Sequence, residues 1–183
     1  MEKPVWRVRA SSYVVDSPHM RLRKDEIELP DGTVIPEYYV RESNGFAIVV
    51  ALTEDGRIVL VSEYRYGADA VGLDLPAGSL AAGEDPRECA RRELREETGY
   101  EAATFEPLGA WYAEPVRASS RCHAYLARGA RLAGEQTLDP TECIDVVAVE
   151  LDAFRAMLGD GGIASLASIA AGYRALDALA STR

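Results

Sequence analysis

Residues 74–100, DLPAGSLAAGEDPRECARRELREETGY, decide how this chain folds. A strand-like apolar piece, Leu73–Leu75, stops at Pro76-Ala77-Gly78, a turn signal. A short polar loop leads to Asp85, a natural N-cap, with Pro86 at N1 and Glu88 at N3 in capping-box spacing. Gly99 supplies the C′ stop. The spacing therefore predicts a helix between Asp85 and Gly99. Ala90 and Leu94, at i and i+4 with Cys89 beside them, form its buried stripe.

The end of that helix runs against local preference. Glu93, Glu96 and Glu97 lie at i, i+3 and i+4, so a helix places them on one face. They occupy its last two turns, where the macrodipole disfavours an anion by roughly 0.3–1 kcal/mol, and a like-charged i,i+4 pair costs roughly 0.2–0.5 kcal/mol more. Two broken preferences at one spot mark a functional site. The competing reading is a solvated face stabilised by arginine, with Arg92 pairing to Glu88 and Glu96 and Arg91 to Glu88. The preceding strand and tight turn favour the first reading. Mg2+ wants oxygen ligands, commonly one or two carboxylates completed by water and substrate phosphate.

Outward from this segment, residues 4–41 contain three strand-like pieces, Trp6–Val15, Lys24–Leu29 and Val34–Val40, with Pro30-Asp31-Gly32 as a turn. They read as an antiparallel meander. Asn44-Gly45 breaks the pattern before the apolar run Phe46–Leu52, and Asp55-Gly56 marks a hairpin into Arg57–Tyr66. Further strands are expected at Leu108–Tyr112, His123–Ala127 and Ile144–Leu151, and helices at Asp152–Leu158 and Ile163–Ala180. The fold class is therefore α/β, a sandwich with a mixed sheet, in two parts: residues 1–42, a small β subdomain, and residues 43–183, the main domain.

Composition narrows the function classes. A formal net charge of −10 disfavours nucleic-acid polymers, which need clustered Lys and Arg. A divalent cation can nevertheless let carboxylates and a phosphate substrate share one site. No apolar run approaches a membrane span, and the Met-Glu-Lys-Pro start lacks a signal-peptide core, so the cytoplasm is the expected location. Cys89, Cys122 and Cys143 form no CxxC pair and read as small buried hydrophobes. His19 and His123 are too isolated for a zinc site, so any metal site must be built from oxygen.

The spacing Gly78, Glu84, Arg92-Glu93-Leu94, Glu96-Glu97, Gly99-Tyr100 resembles the Nudix hydrolase signature, Gly-x5-Glu-x7-Arg-Glu-U-x-Glu-Glu-x-Gly-U with U apolar. Every fixed position matches; Tyr100 alone stretches its class. The resemblance implies a Nudix-type α/β/α sandwich and Mg2+-dependent hydrolysis of a pyrophosphate bond, with Mn2+ as a substitute ion. It implies that Glu93, Glu96 and Glu97 are metal ligands, joined by the Ala77 carbonyl. Arg92 and Glu84 would orient those carboxylates, a role suited to the arginine fork.

Glu63-Tyr64-Arg65-Tyr66, Leu75-Pro76-Ala77-Gly78 and Pro115, sixteen residues after Gly99, are similar to the ADP-ribose pyrophosphatase subgroup. That likeness implies a nucleoside-diphosphate-sugar substrate, a homodimer formed through the N-terminal meander, and Arg65 on substrate phosphate. The chain departs from the subgroup after Pro115. Ser120 stands where many members have a catalytic Glu, leaving Glu114, Glu96 and Glu142 as alternative bases, while Arg117 and Arg121 offer a positive loop for phosphates. GDP-mannose, ADP-glucose and dinucleoside polyphosphates are rival substrates, and a non-catalytic nucleotide sensor is the rival of another class. Of Trp111 and Tyr112, one is expected in the core.

Overall fold

In the computed structural model, which describes residues 5–181, the chain divides into two units. One comprises the chain up to Gly45 together with Tyr112–Arg121; the other comprises Phe46–Trp111 and the chain from Cys122 onward. Met1–Pro4, where the absent signal-peptide core was read and the meander was expected to start, lie outside the described residues, as do Thr182 and Arg183.

The first unit is built on β1 (Arg7–Ser17), β2 (Met20–Glu28) and β3 (Val34–Glu42), an antiparallel sheet in that order. The β2–β3 turn closes as expected: the Gly32 N–H donates to the Leu29 carbonyl at 2.9 Å, and Gly32 takes the positive φ that glycine tolerates. Along β1 every residue but Ser17 is exposed, while Asp25 and Ile27 on β2 are buried. Burial alone would push the Asp25 carboxyl up, but hydrogen bonds from Arg23 at 2.9 Å and Ser11 at 2.6 Å outweigh it and hold the group below its usual range. The Tyr112–Arg121 segment, which sequence patterning leaves as a loop, is bound to β3. The Arg41 N–H donates to the Arg117 carbonyl at 2.8 Å and the Ser119 N–H to the Arg41 carbonyl at 3.1 Å.

The second unit holds a mixed sheet. Its strands are β4 (Phe46–Thr53), β5 (Arg57–Arg65), β6 (Ala70–Asp74), β7 (Ala77–Ser79), β8 (Tyr100–Glu101), β9 (Thr104–Tyr112), β10 (Arg121–Leu132) and β11 (Ile144–Glu150). The order β11-β5-β4-β10-β8 is extended by β6 on β5, β7 on β4 and β9 on β10. Among the described residues the central β4–β10 ladder is parallel, while β10–β8, β11–β5, β4–β5, β4–β7 and β5–β6 are antiparallel. A central strand covered on both faces should be apolar throughout rather than alternating, and β4 is: Ile48 and Val50 face one core, Ala47, Val49 and Ala51 the other.

Helices α1 (Pro86–Thr98), α2 (Leu151–Asp160) and α3 (Leu166–Ala180) complete the sandwich. Cys89, Ala90 and Leu94 of α1 fill one core, and Phe154, Leu158, Ala171, Ala175 and Leu176 of α2 and α3 fill the other. The α/β/α expectation is met. Two details differ, while the expectation that one of Trp111 and Tyr112 lies in the core is met. Ile163 bridges to Leu73 instead of starting a helix, because Ser165 caps α3 by accepting from the Ser168 N–H at 3.2 Å. Cys143 is exposed, unlike Cys89 and Cys122. Trp111 packs against the core while Tyr112 is exposed.

Candidate active site

The site is organised by the two ends of α1. At its start the Asp85 carboxylate accepts from the N–H groups of Arg87 at 2.9 Å and Glu88 at 3.4 Å, fixing where the helix begins. At its end Gly99 sits at φ 73° and its N–H donates to the Arg95 carbonyl. A side chain there would strike the Gly134 carbonyl at 2.2 Å. The segment after β10 satisfies the last carbonyls of the helix: Thr137 N–H donates to the Glu96 carbonyl at 2.8 Å, and the Gln136 amide to that of Glu97 at 2.6 Å. These bonds answer part of the electrostatic cost of ending a helix in glutamates.

Between those ends, the predicted residues meet the turn that precedes them. Glu97 is buried, and its Oε2 accepts from the Ala77 N–H at 2.9 Å. Glu93 is buried against Gly78 so closely that a Cβ on residue 78 would fall 2.0 Å from its carboxylate. Glycine is therefore required at 78 for close approach. Arg92 ties the group together: its Nη1 reaches Glu93 at 2.7 Å and Glu96 at 3.0 Å, while Nε and Nη2 fork onto Glu84 at 3.0 and 3.2 Å. Glu84 is itself held by the Ala81 N–H at 2.8 Å. Arg92 does not pair with Glu88, as the charged-face reading required; Arg91 does, at 3.6 Å.

The carboxylates are not electrostatically equal. The Arg92 fork holds Glu84 below the usual carboxylate range. Burial raises Glu93 despite Arg92, and pushes Glu97 up to about 8 despite the Ala77 N–H. The charge of Glu142 raises both further. Glu142, on the turn it closes by accepting from the Asp139 N–H at 2.9 Å, is thus within electrostatic reach of the buried pair.

Two buried carboxyls whose ionisation burial opposes fit a divalent cation, which would favour their charged forms. Among the described residues no three His, Cys, Asp or Glu side chains converge into a ready ligand cluster. Mg2+ commonly takes one or two protein carboxylates, completed by water and substrate phosphate. A lysine in place of Arg92 could not fork onto Glu84 while holding Glu93 and Glu96. Arg92→Lys should therefore lower kcat/KM about 10–100-fold, the usual cost of losing an orienting partner of a metal ligand, with an unchanged circular dichroism spectrum as the control.

Arg65, at the end of β5, is half-exposed and already matched by two carboxylates. Its Nη1 lies 2.5 Å from Glu63 and its Nη2 3.9 Å from the buried Asp74. Glu63 belongs to the segment that resembles the subgroup, whereas Asp74 carries no local sequence signal, since its contact with Ser165 spans 91 positions. Glu114, Arg117 and Arg121 belong to the first unit. There the Glu114 carbonyl accepts from the Ala118 N–H at 2.8 Å, Arg117 is exposed, and the Arg121 guanidinium stacks on Tyr112 at 4.8 Å. Ser120 is buried. No helix among the described residues is long and apolar enough to cross a membrane.

Known proteins match this geometry at several levels. The NUDIX domain profile matches residues 43–166, and the profile of the nucleoside diphosphate sugar hydrolase N-terminal domain matches residues 6–40. The chain is 37% identical to the methanol dehydrogenase activator of Bacillus methanolicus, over 73% of this chain and 72% of that one. It is 34% identical to the ADP-ribose pyrophosphatase of Bacillus subtilis, over 70% and 69% respectively. A crystal structure of an ADP compounds hydrolase superposes with a TM-score of 0.85 at 22% identity, covering 100% of this chain and 97% of that one.

Proposed function

Because this chain belongs to the Nudix family of hydrolases, we propose that it cleaves the pyrophosphate of ADP-ribose or a closely related nucleoside-diphosphate sugar, releasing a nucleoside monophosphate and a sugar phosphate. As a member of that family it is an enzyme acting on pyrophosphate bonds of nucleoside diphosphate compounds. The buried Glu93–Glu97 pair set against the Pro76–Gly78 turn carries the metal-assisted chemistry. The likeness to an ADP-ribose pyrophosphatase and to a nucleoside diphosphate sugar hydrolase N-terminal domain supports the substrate.

In this reading Glu93 and Glu97 hold a Mg2+ ion, with Glu96 and the Ala77 backbone as further ligands. When bound, the ion supplies Lewis-acid polarisation of the phosphoryl oxygens and neutralises charge on the leaving phosphate. The chain's own groups do the rest. Arg92 and Glu84 fix the carboxylate rotamers. We assign Glu142, whose charge reaches the buried pair, to take the proton of the attacking water, with Glu114 and Glu96 as the alternatives. Arg65 contacts substrate, and Arg117 and Arg121 offer cations for phosphate.

A panel of ADP-ribose, ADP-glucose, GDP-mannose and dinucleoside polyphosphates with Mg2+, read by product mass, tests the reading. AMP and ribose 5-phosphate from ADP-ribose are expected. No product from any of them would overturn the proposal in favour of a non-catalytic sensor.

The N-terminal sheet carries a further expectation. Trp6, Val8, Tyr13, Val14, Val15, Met20 and Val34 are all exposed on it, more apolar surface than a small solvated sheet is expected to show. Homodimerisation through this sheet would cover them. Light scattering at micromolar protein should give twice the 19.9 kDa chain mass; a monomer would contradict this assignment.

A further inference from the structure

Beside the carboxylate helix, within the second unit, lies a cavity of about 240 Å³. Phe46, Ile48 and Leu75 give it an apolar wall, and Arg65, Asp74 and Ser165 border it with polar groups. It also reaches Ala77, whose N–H holds Glu97. Its size falls below the roughly 300–1,000 Å³ of pockets for drug-sized ligands, which suits one sugar ring rather than a nucleoside.

The polar border says what kind of group enters. Asp74 is 7% exposed, with its Oδ1 accepting from the Ser165 N–H at 3.2 Å and its Oδ2 3.9 Å from Arg65. A carboxylate offers about four acceptor positions, so these contacts leave acceptor capacity. A phosphate can only accept and would meet Asp74 as a like charge, while Glu63, outside the lining, already pairs with Arg65. The Arg65 guanidinium, matched by both, cannot offset that repulsion. A hydroxyl is the complementary group: it donates to Asp74 and accepts from one of the five N–H donors of the guanidinium. Apolar contact on one side and a carboxylate–arginine pair on the other is the chemistry of a sugar ring, whose C–H face and hydroxyl edge differ in the same way.

We infer that the cavity bordered by Arg65, Asp74 and Ser165 is the subsite for the hydroxyls of the substrate's non-nucleoside sugar, with Asp74 accepting from them. This rests on the reading of the chain as a nucleoside-diphosphate-sugar hydrolase. It changes the role of Arg65 from a phosphate contact to a sugar contact. Asp74 also fixes the cavity's shape, since the strand it ends is tied to the start of α3 through Ser165, and the Leu75 N–H donates to the Ser168 hydroxyl at 3.1 Å.

Titration calorimetry with ribose 5-phosphate, and separately with AMP, tests the assignment on the wild-type protein and on Asp74→Asn and Ala167→Leu. The first variant removes the charge at similar volume; the second fills the cavity from α3, where Ala167 also lines it. Ribose 5-phosphate binding should weaken at least about 10-fold in both, as expected for losing one hydrogen bond to a charged group, with AMP affinity retained. Ribose 5-phosphate affinity within twofold of wild type in a variant that melts cooperatively would overturn the proposal. The wild-type protein alone gives a second arm: an ADP-ribose analogue lacking the 2- and 3-hydroxyls of the terminal ribose should show at least a tenfold lower kcat/KM, and an equal value would overturn it too. Failure of the functional reading is separable, because a chain that hydrolyses no nucleotide sugar would still bind ribose 5-phosphate in an Asp74-dependent way if the subsite is real.

Discussion

The Glu97→Gln variant is expected to lose turnover by at least about 10³-fold while keeping its fold. Metal-assisted phosphoryl chemistry draws several kcal/mol of transition-state stabilisation from the ion, and about 4 kcal/mol corresponds to a thousandfold in rate. Glutamine supplies no anionic ligand, so most of that contribution should vanish. The fold should survive for reasons visible in the structure. The side-chain volume is nearly the same, the amide oxygen can still accept from the Ala77 N–H, and a buried charge whose carboxyl is pushed up to about 8 is removed rather than created. Steady-state kinetics with Mg2+ beside a thermal melt checks both halves. Turnover within tenfold of wild type would remove Glu97 from the metal site.

The Glu142→Gln variant is expected to lose about 10²–10⁴ in kcat, the usual contribution of a positioned general base, with KM for the nucleotide sugar little changed. Glu142 is exposed and lies on a turn, so its replacement should cost little stability. Its link to the buried pair is through its charge, and comparison with a second acidic candidate tests the assignment. Glu114→Gln, altering another of the three bases suggested by the sequence, should leave kcat within a fewfold of wild type. If Glu114→Gln is the more damaging of the two, the base assignment is wrong.

Much of the fold was legible because its strongest signals are local. Asp85, Pro86 and Gly99 mark the bounds of α1 to the residue, and the unbroken apolar run of β4 marks a strand covered on both faces. The start of α3 was misread because Ile163 continues the apolar pattern, whereas the cap is set by Ser165 and a strand-like bridge to Leu73. Periodicity cannot report a partner that far away. The same limit shapes the site. The grouping of Glu93, Glu96 and Glu97 follows from helical spacing alone, and the Arg92–Glu84 fork closes over a single loop. Arg65 meets Asp74 across the β5–β6 hairpin, but the tie of Asp74 to Ser165 spans 91 positions, beyond the reach of any local pattern. The Tyr112–Arg121 segment gave no strand pattern either, since its order comes from backbone bonds to β3 rather than from its own side chains.

The central claim is that the carboxylates of α1 hold the ion on which turnover depends. Its most direct test is the Mg2+ dependence of ADP-ribose hydrolysis by chelator-stripped protein, compared between wild type and Glu93→Gln. The account predicts no turnover without added metal, recovery on adding Mg2+, and a Mg2+ requirement at least about tenfold higher in the variant. Hydrolysis that survives chelation, or a Mg2+ requirement unchanged by the substitution, would contradict it.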